Sequence, residues 1–194
     1  MIHKKPLLIS ILFLLSGIMG CLEDSENIDN DIDLRVAKLT ENDLSDDFWK
    51  INTSEDYITD PYTVEQGKLF EGNQVQKKYE VLFIKNNMTF LNQEIAQLTS
   101  INQSMEFMET LEKQTLIPGI VTDWNFTDLS IEQIGDETIF KQTKTVIDER
   151  VVTINLLVFR VNTIIHILAS GSISQTEIIS YAKIAEKRID DYLI

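Results

Sequence analysis

Residues 151–169 read Val-Val-Thr-Ile-Asn-Leu-Leu-Val-Phe-Arg-Val-Asn-Thr-Ile-Ile-His-Ile-Leu-Ala, and this stretch decides the fold class. Val152, Ile154, Leu156 and Val158 recur with a period of two, which places them on one face of an extended strand. Asn162-Thr163 breaks the run, and Asn tolerates the left-handed backbone of a tight turn. Ile164 to Ala169 then resumes as a second strand, apolar on both faces, as expected of a central or covered position. Two strands joined by two residues pair antiparallel.

Working outward, Gly135-Asp136 and Asp148-Glu149 mark turns on either side of a weaker strand at Ile139 to Ile147. A further strand is expected over Trp124 to Ile134. Upstream, Tyr79 to Ile84 alternates, Asn86-Asn87 turns the chain, and Met88 to Leu98 extends again. Ser100 with Gln103 has the spacing of a helix-opening capping box, and Ile101, Met105, Met108 and Leu111 fall on one helical face. The helix should stop before Pro118-Gly119. Ser174 with Glu177 repeats the capping signal, followed by Ile178, Ala182, Ala185, Ile189 and Tyr192 on one side of a terminal helix. Thr40, with Asp43 in the first turn, opens a short helix with Leu44, Phe48 and Trp49 on its apolar side. Residues 52–76 read as a long excursion. The pattern predicts an α+β fold: an antiparallel sheet of about five to six strands packed on two amphipathic helices in two layers.

The N-terminus carries an address. Lys4 and Lys5 precede an apolar run from Leu7 to Met19. A bilayer core of roughly 30 Å needs about 20 apolar residues, so the run is short for a span and fits a secretory signal. Ile18-Met19-Gly20-Cys21 resembles the lipobox of bacterial and archaeal lipoproteins, although Met19 is bulkier than the residue usual there. The resemblance implies a signal peptide over 1–20, cleavage before Cys21, and lipid on the Cys21 sulfur that fastens the chain to the outer face of the cell membrane. Residues 21–33, rich in Asp, Glu and Asn, read as an acidic tether, and 34–194 as one domain.

Composition then removes whole classes of chemistry. The chain has 31 acidic against 17 basic residues and a formal net charge of −14. Such a surface repels phosphate backbones, so nucleic acid is not an expected partner. Cys21 is the sole cysteine. Once lipidated, it leaves no thiol for a disulfide, a zinc site or a nucleophile. Of two histidines, His3 departs with the signal and only His166 remains. No cofactor and no metal ion is expected. Asp29-Asn30-Asp31-Ile32-Asp33 starts like a calcium loop, but that loop needs Gly at its sixth position and Glu at its twelfth. Leu34 and Thr40 stand there.

Three short motifs carry a second resemblance: Gly135-Asp136-Glu137 before a strand, Phe159-Arg160-Val161 ending one, and Arg188-Ile189 near the end of the last helix. The pattern is similar to exported domains of the PsbP-like α+β fold, including the extracellular domains of PknH-type mycobacterial kinases. In that group Phe-Arg-Val is usually followed by Gly-Asn, where this chain has Asn162-Thr163. The resemblance covers residues 79–194. It implies a fold, and it implies a binding or accessory role, since the group is mostly non-enzymatic.

The remaining candidate residues are few. Trp49 and Trp124, with Phe126, could line a ligand groove, and Arg160 could hold an anion. Core packing and a structural ion pair are their plainer roles. His166 lies on an apolar strand, where a core histidine with one hydrogen bond is expected. Asn52, Asn87, Asn102 and Asn125 each head an Asn-x-Ser/Thr sequon and are possible glycosylation sites. The sequence thus predicts a membrane-anchored, extracytoplasmic lipoprotein that binds an envelope protein or small ligand without catalysis. The alternatives are a surface hydrolase using carboxylates such as Asp136 and Glu137, or a structural subunit of an envelope complex. The partner would meet the solvent face of the sheet, or a groove beside the excursion from Tyr57 to Phe70.

Overall fold

The computed structural model describes residues 32–46, 48–51, 57–59, 75–86, 88–113, 126–147 and 149–193. The signal, Cys21, most of the tether, Asn52, Asn87, Trp124, Asn125 and the greater part of the 52–76 excursion lie outside the described residues.

Among the described residues eight strands form one antiparallel sheet. They are β1 (Lys50–Ile51), β2 (Tyr57–Thr59), β3 (Val75–Asn86), β4 (Thr89–Leu98), β5 (Thr127–Asp128), β6 (Glu137–Ile147), β7 (Arg150–Val161) and β8 (Ile164–Gly171). Helix α1 (Ile101–Lys113) follows β4 and helix α2 (Gln175–Leu193) ends the fold. Two 3-10 turns, Leu34–Ala37 and Glu41–Asp43, precede the sheet. The strand order is β1-β3-β4-β8-β7-β6-β5, with β2 also paired to β3. The five long strands are those the alternation announces. The extra three are two- or three-residue edge pieces, too short to show a period.

Strand β8 is central, between β4 and β7. Its odd and even positions serve different cores. Ile164 and Leu168 pack with Leu157, Phe159, Ile95, Phe83 and the α2 residues Ile178, Ala182, Ala185 and Ile189. Ile165, Ile167 and Ala169 pack with Val158, Leu156, Leu98 and the α1 residues Phe107, Met108 and Leu111. The two helices therefore lie on opposite faces of the sheet, which makes three layers where the sequence pattern predicts two. A strand apolar on both sides demands this, because one covered face would leave the other set of Ile, Leu and Val side chains in water.

The helix starts show how side-chain hydrogen bonds set the burial. At α2 the expected capping box forms. The Ser174 backbone N–H donates to Glu177 Oε2 over 3.1 Å, and the Glu177 N–H donates to Ser174 Oγ over 3.2 Å. Ser174→Ala should cost about 1 kcal/mol of stability, read as a lower urea midpoint at unchanged slope. At α1 only half the box forms. Ser100 Oγ accepts the Gln103 N–H at 3.3 Å, while the Gln103 side chain turns to the Thr99 hydroxyl. Ser104 Oγ lies 2.9 Å from the Asn162 carbonyl oxygen in the β7–β8 turn. That contact draws Ser104 inward, so the buried face is Ser104, Phe107, Met108 and Leu111. Ile101 and Met105, expected inside, are rotated out to 40% and 50% exposure.

Other departures are local. Tyr181 is buried in place of Tyr192, which is exposed. The strand expected over 124–134 is, among the described residues, only Thr127–Asp128, paired to β6 at Gln142 and Lys141. Phe48 is exposed, beneath the Lys85 ammonium at 5.9 Å. Asp43 ends a single 3-10 turn, and Arg188 Nη2 on α2 clamps its Oδ1 at 2.7 Å.

Candidate functional site

Three polar features of the sheet bear on function, beside structural contacts such as the Lys141–Asp128 ion pair and the Asn155–Ser170 hydrogen bond. The first is the corner where β6 begins and β7 ends. Gly135 takes φ +64°, which brings the chain back so that the Asp136 N–H donates to the Arg160 carbonyl oxygen over 2.8 Å. Asp136 Oδ2 then accepts the Asn162 N–H at 2.7 Å and Arg160 Nη1 at 3.0 Å. Arg160 Nε lies 3.5 Å from Glu137 Oε2. Asn162 takes φ +57°, the shape that glycine would otherwise supply at this turn. The Gly135 N–H is held by the Glu186 carboxylate from α2. The motifs Gly135-Asp136-Glu137 and Phe159-Arg160-Val161-Asn162 are thus two halves of one turn lock. Arg160, 9% exposed, is held by acids on two sides, which makes it a structural cation. Asp136 and Glu137 both face its guanidinium, so their charges are spent there.

The second place is the buried side of the β3–β4 hairpin. Glu80 stands directly across from Glu94 in register, both on the face that carries α1. They are 7% and 3% exposed. Lys78 Nζ lies 2.9 Å from Glu94 Oε2 and 3.4 Å from Glu80 Oε2. Asn92 Nδ2 lies 3.4 Å from Oε1 of each acid, while its Oδ1, equally buried, has no hydrogen-bond partner. Burial first, and the Glu94 charge second, push the Glu80 carboxyl up to about 7.

The third is His166, wholly buried and stacked on Phe159 with ring centroids 4.6 Å apart. The one hydrogen bond expected of it is absent: both ring nitrogens are without a partner. With no carboxylate or hydroxyl in reach, a triad role has no geometry to support it. Its pKa falls to about 3, because desolvation penalises the imidazolium.

No family model matches this chain, and no curated protein matches it. Among solved structures it is similar to the extracellular domain of PknH from Mycobacterium tuberculosis. That match has 14% identity and a TM-score of 0.47, over 67% of this chain and 72% of the other.

The other expected site residues are dispersed. Trp49 is 4% exposed and packs in the α2-side core, so its ring does not form a rim. Phe126 is buried on the opposite face, so the two aromatics do not share a groove. Asn102 is exposed on the first turn of α1, but Ser104 of the same sequon is buried. Both faces of the sheet are covered over most of their length, which removes the solvent face as a partner surface. Among the described residues no group of three or more His, Cys, Asp and Glu could hold a metal ion. Nor is any described helix long and apolar enough to cross a membrane.

Two features were missed by sequence reasoning. One is the acid pair. Its signal was Lys78 and Glu80, then Asn92 and Glu94, each pair two residues apart within one strand. That spacing places them all on one face. The other is the β6–β7 tip. Strand β8 ends at Gly171, opposite Ile154, so the rows from Lys144–Thr153 to Ile147–Arg150 run beyond it. There Val146 faces Val151 across the hairpin, and they are 67% and 70% exposed. Lys144, Glu149 and Arg150 beside them are exposed too.

Proposed function

We propose that this protein is a lipid-anchored accessory domain, tethered through Cys21 on the extracytoplasmic side, that docks another envelope protein through its β6–β7 tip and performs no catalysis. The observation that carries the reading is the exposed Val146–Val151 pair on a projecting hairpin, with Lys144 and Arg150 beside it. A cross-strand pair of valines in water is unfavourable by the apolar area left uncovered, so a partner that covers it gains that area. By sequence the tip sets Lys144 and Arg150 against Asp148 and Glu149, so the uncovered valines and not a net charge carry the reading, and Arg150 offers one cation to an acidic group of the partner.

The placement suits a tether. The chain enters the described fold at Ile32, whose carbonyl oxygen lies 3.4 Å from Lys77 Nζ near the start of β3. Strand β3 starts opposite Leu98, the end of the sheet away from the β6–β7 tip. An anchor on Cys21 would therefore hold the tip outward from the membrane.

Two measurements test the reading separately. Cys21→Ser should shift the protein from the membrane to the soluble fraction, or leave an unprocessed precursor. Retention at mature size would refute the lipid anchor. A photo-crosslinking residue at Val146 in the full chain should yield one discrete adduct in intact cells, while the same probe at exposed Lys187 on α2 should not. The adduct should weaken with Arg150→Glu. No adduct at Val146, or equal adducts at both positions, would refute the tip as the docking surface.

A further inference from the structure

We propose that Glu80 and Glu94 share a single proton in the folded protein, and that releasing it loosens the β3–β4 half of the sheet. The geometry sets up an imbalance. Two carboxylates stand opposite one another on adjacent strands, both more than nine-tenths buried, and among the described residues Lys78 is the one cation in contact with them. With both acids ionised, this cluster holds an uncompensated negative charge in an apolar setting, which is costly.

A proton is the remedy the site is shaped for. Asn92 Oδ1 is a buried acceptor without a donor, beside two carboxylates that have no hydrogen to give. A proton held between the two carboxylates removes one of the two like charges that face each other here. A metal ion fits less well: Lys78 already stands between the acids, and among the described residues no third acidic or histidine ligand is grouped with them.

Among the described residues the neighbouring strands bring mostly apolar side chains, and Lys141 of β6, also on this face, is taken by Asp128 at 2.6 Å. On the same face β8 presents Ile165, Ile167 and Ala169, and β7 presents Ile154, Leu156 and Val158. Helix α1 turns Phe107, Met108 and Leu111 toward the sheet. Strand β2 places Tyr57 opposite Glu80 and Thr59 opposite Lys78 in register. Loss of the shared proton to solvent therefore leaves repulsion between β3 and β4, near one edge of the sheet, where only the short strands β1 and β2 lie further out.

The test uses the full chain in detergent, with carbon-13 at the glutamate carboxyls. The signals of Glu80 and Glu94 should move together in two steps, one of them with a proton affinity at least about tenfold above that of an ordinary glutamate. Glu80→Gln and Glu94→Gln should each abolish the displaced step. Between pH 6 and pH 8, backbone amide exchange in β3 and β4 should accelerate about tenfold beyond the intrinsic base-catalysed rise, with β7 and β8 following the intrinsic rate. If both carboxyls titrate as ordinary glutamates, there is no shared proton. If β3–β4 exchange tracks β7–β8 at every pH, its release loosens nothing. The wild-type measurements decide both points even where a variant fails to fold.

Discussion

Gly135→Ala is expected to lower stability by about 3 kcal/mol or more, far beyond the usual cost of a surface methyl group. Two effects add. Gly135 sits at φ +64°, where an alanine costs roughly 1–2 kcal/mol. Its Cβ would also stand 2.3 Å from the Arg160 carbonyl oxygen, a backbone atom that cannot step aside. Relief means moving β7 from β6 and lengthening the 2.8 Å bond from the Asp136 N–H to that same oxygen. The hydrogen bond lost there adds about 1 kcal/mol. Asn162, also left-handed but already accommodating a side chain, supplies the contrast. Asn162→Gly should change stability by less than about 1 kcal/mol. Urea unfolding of both variants checks the pair. A Gly135→Ala protein as stable as wild type would mean that the corner does not hold the registry of β6 and β7.

The corner also shows what the sequence made legible. Gly135-Asp136, Phe159-Arg160-Val161 and Asn162-Thr163 are separately recognisable as turn and strand signals. Their union was not, because Asp136 and Arg160 meet only through the register of two strands. The alternation in β7 and the doubly apolar β8 were enough to state an antiparallel sheet, since period and turn length are local properties. The two-layer expectation fails at β8, whose doubly apolar pattern requires cover on both faces, and the rotation of α1 is set by a tertiary contact. Ser104 meets the Asn162 carbonyl and turns α1 by enough to expose Ile101 and Met105. A hydrophobic face read from spacing alone carries no knowledge of such a contact.

The same distinction applies to the candidate residues. Trp49 and Arg160 stood out by type, being the kinds of side chain that bind ligands. Packing assigns both to structure. The residues with unmet physical needs were inconspicuous ones: Asn92 with an orphaned carbonyl, Glu80 beside Glu94, and Val146 with Val151 in water. Valine is ordinary in a strand, and Asn or Glu is ordinary on a strand's solvent face. What marks them is a mismatch between side chain and surroundings, and surroundings enter only with the fold.

His166→Leu should remove the acid sensitivity that this one residue imposes and reveal a slope of opposite sign. The His166 pKa is lowered from 6.5 to about 3 by burial. Between those values the unfolded chain takes up a proton that the folded chain refuses. The contribution of this group is therefore intact above about pH 6.5 and is lost as the pH falls toward 3. At 1.36 kcal/mol per unit the loss is on the order of 4–5 kcal/mol. Glu80, raised from 4.5 to about 7, works the other way. Its contribution is complete below about pH 4.5 and is lost as the pH rises through 7, roughly 3 kcal/mol in all. From pH 4.5 to 6.5 the two slopes oppose each other, and wild-type stability should be nearly level with respect to this pair. The leucine variant should instead gain stability steadily on acidification across that range. Near pH 7 it should exceed wild type by about 1–2 kcal/mol, because two buried nitrogens without partners are gone. Urea midpoints of both proteins at unit intervals from pH 4 to pH 8 decide the matter. Parallel curves would mean that His166 is hydrated or hydrogen-bonded in solution, and that the core around Phe159 is more open than this packing allows.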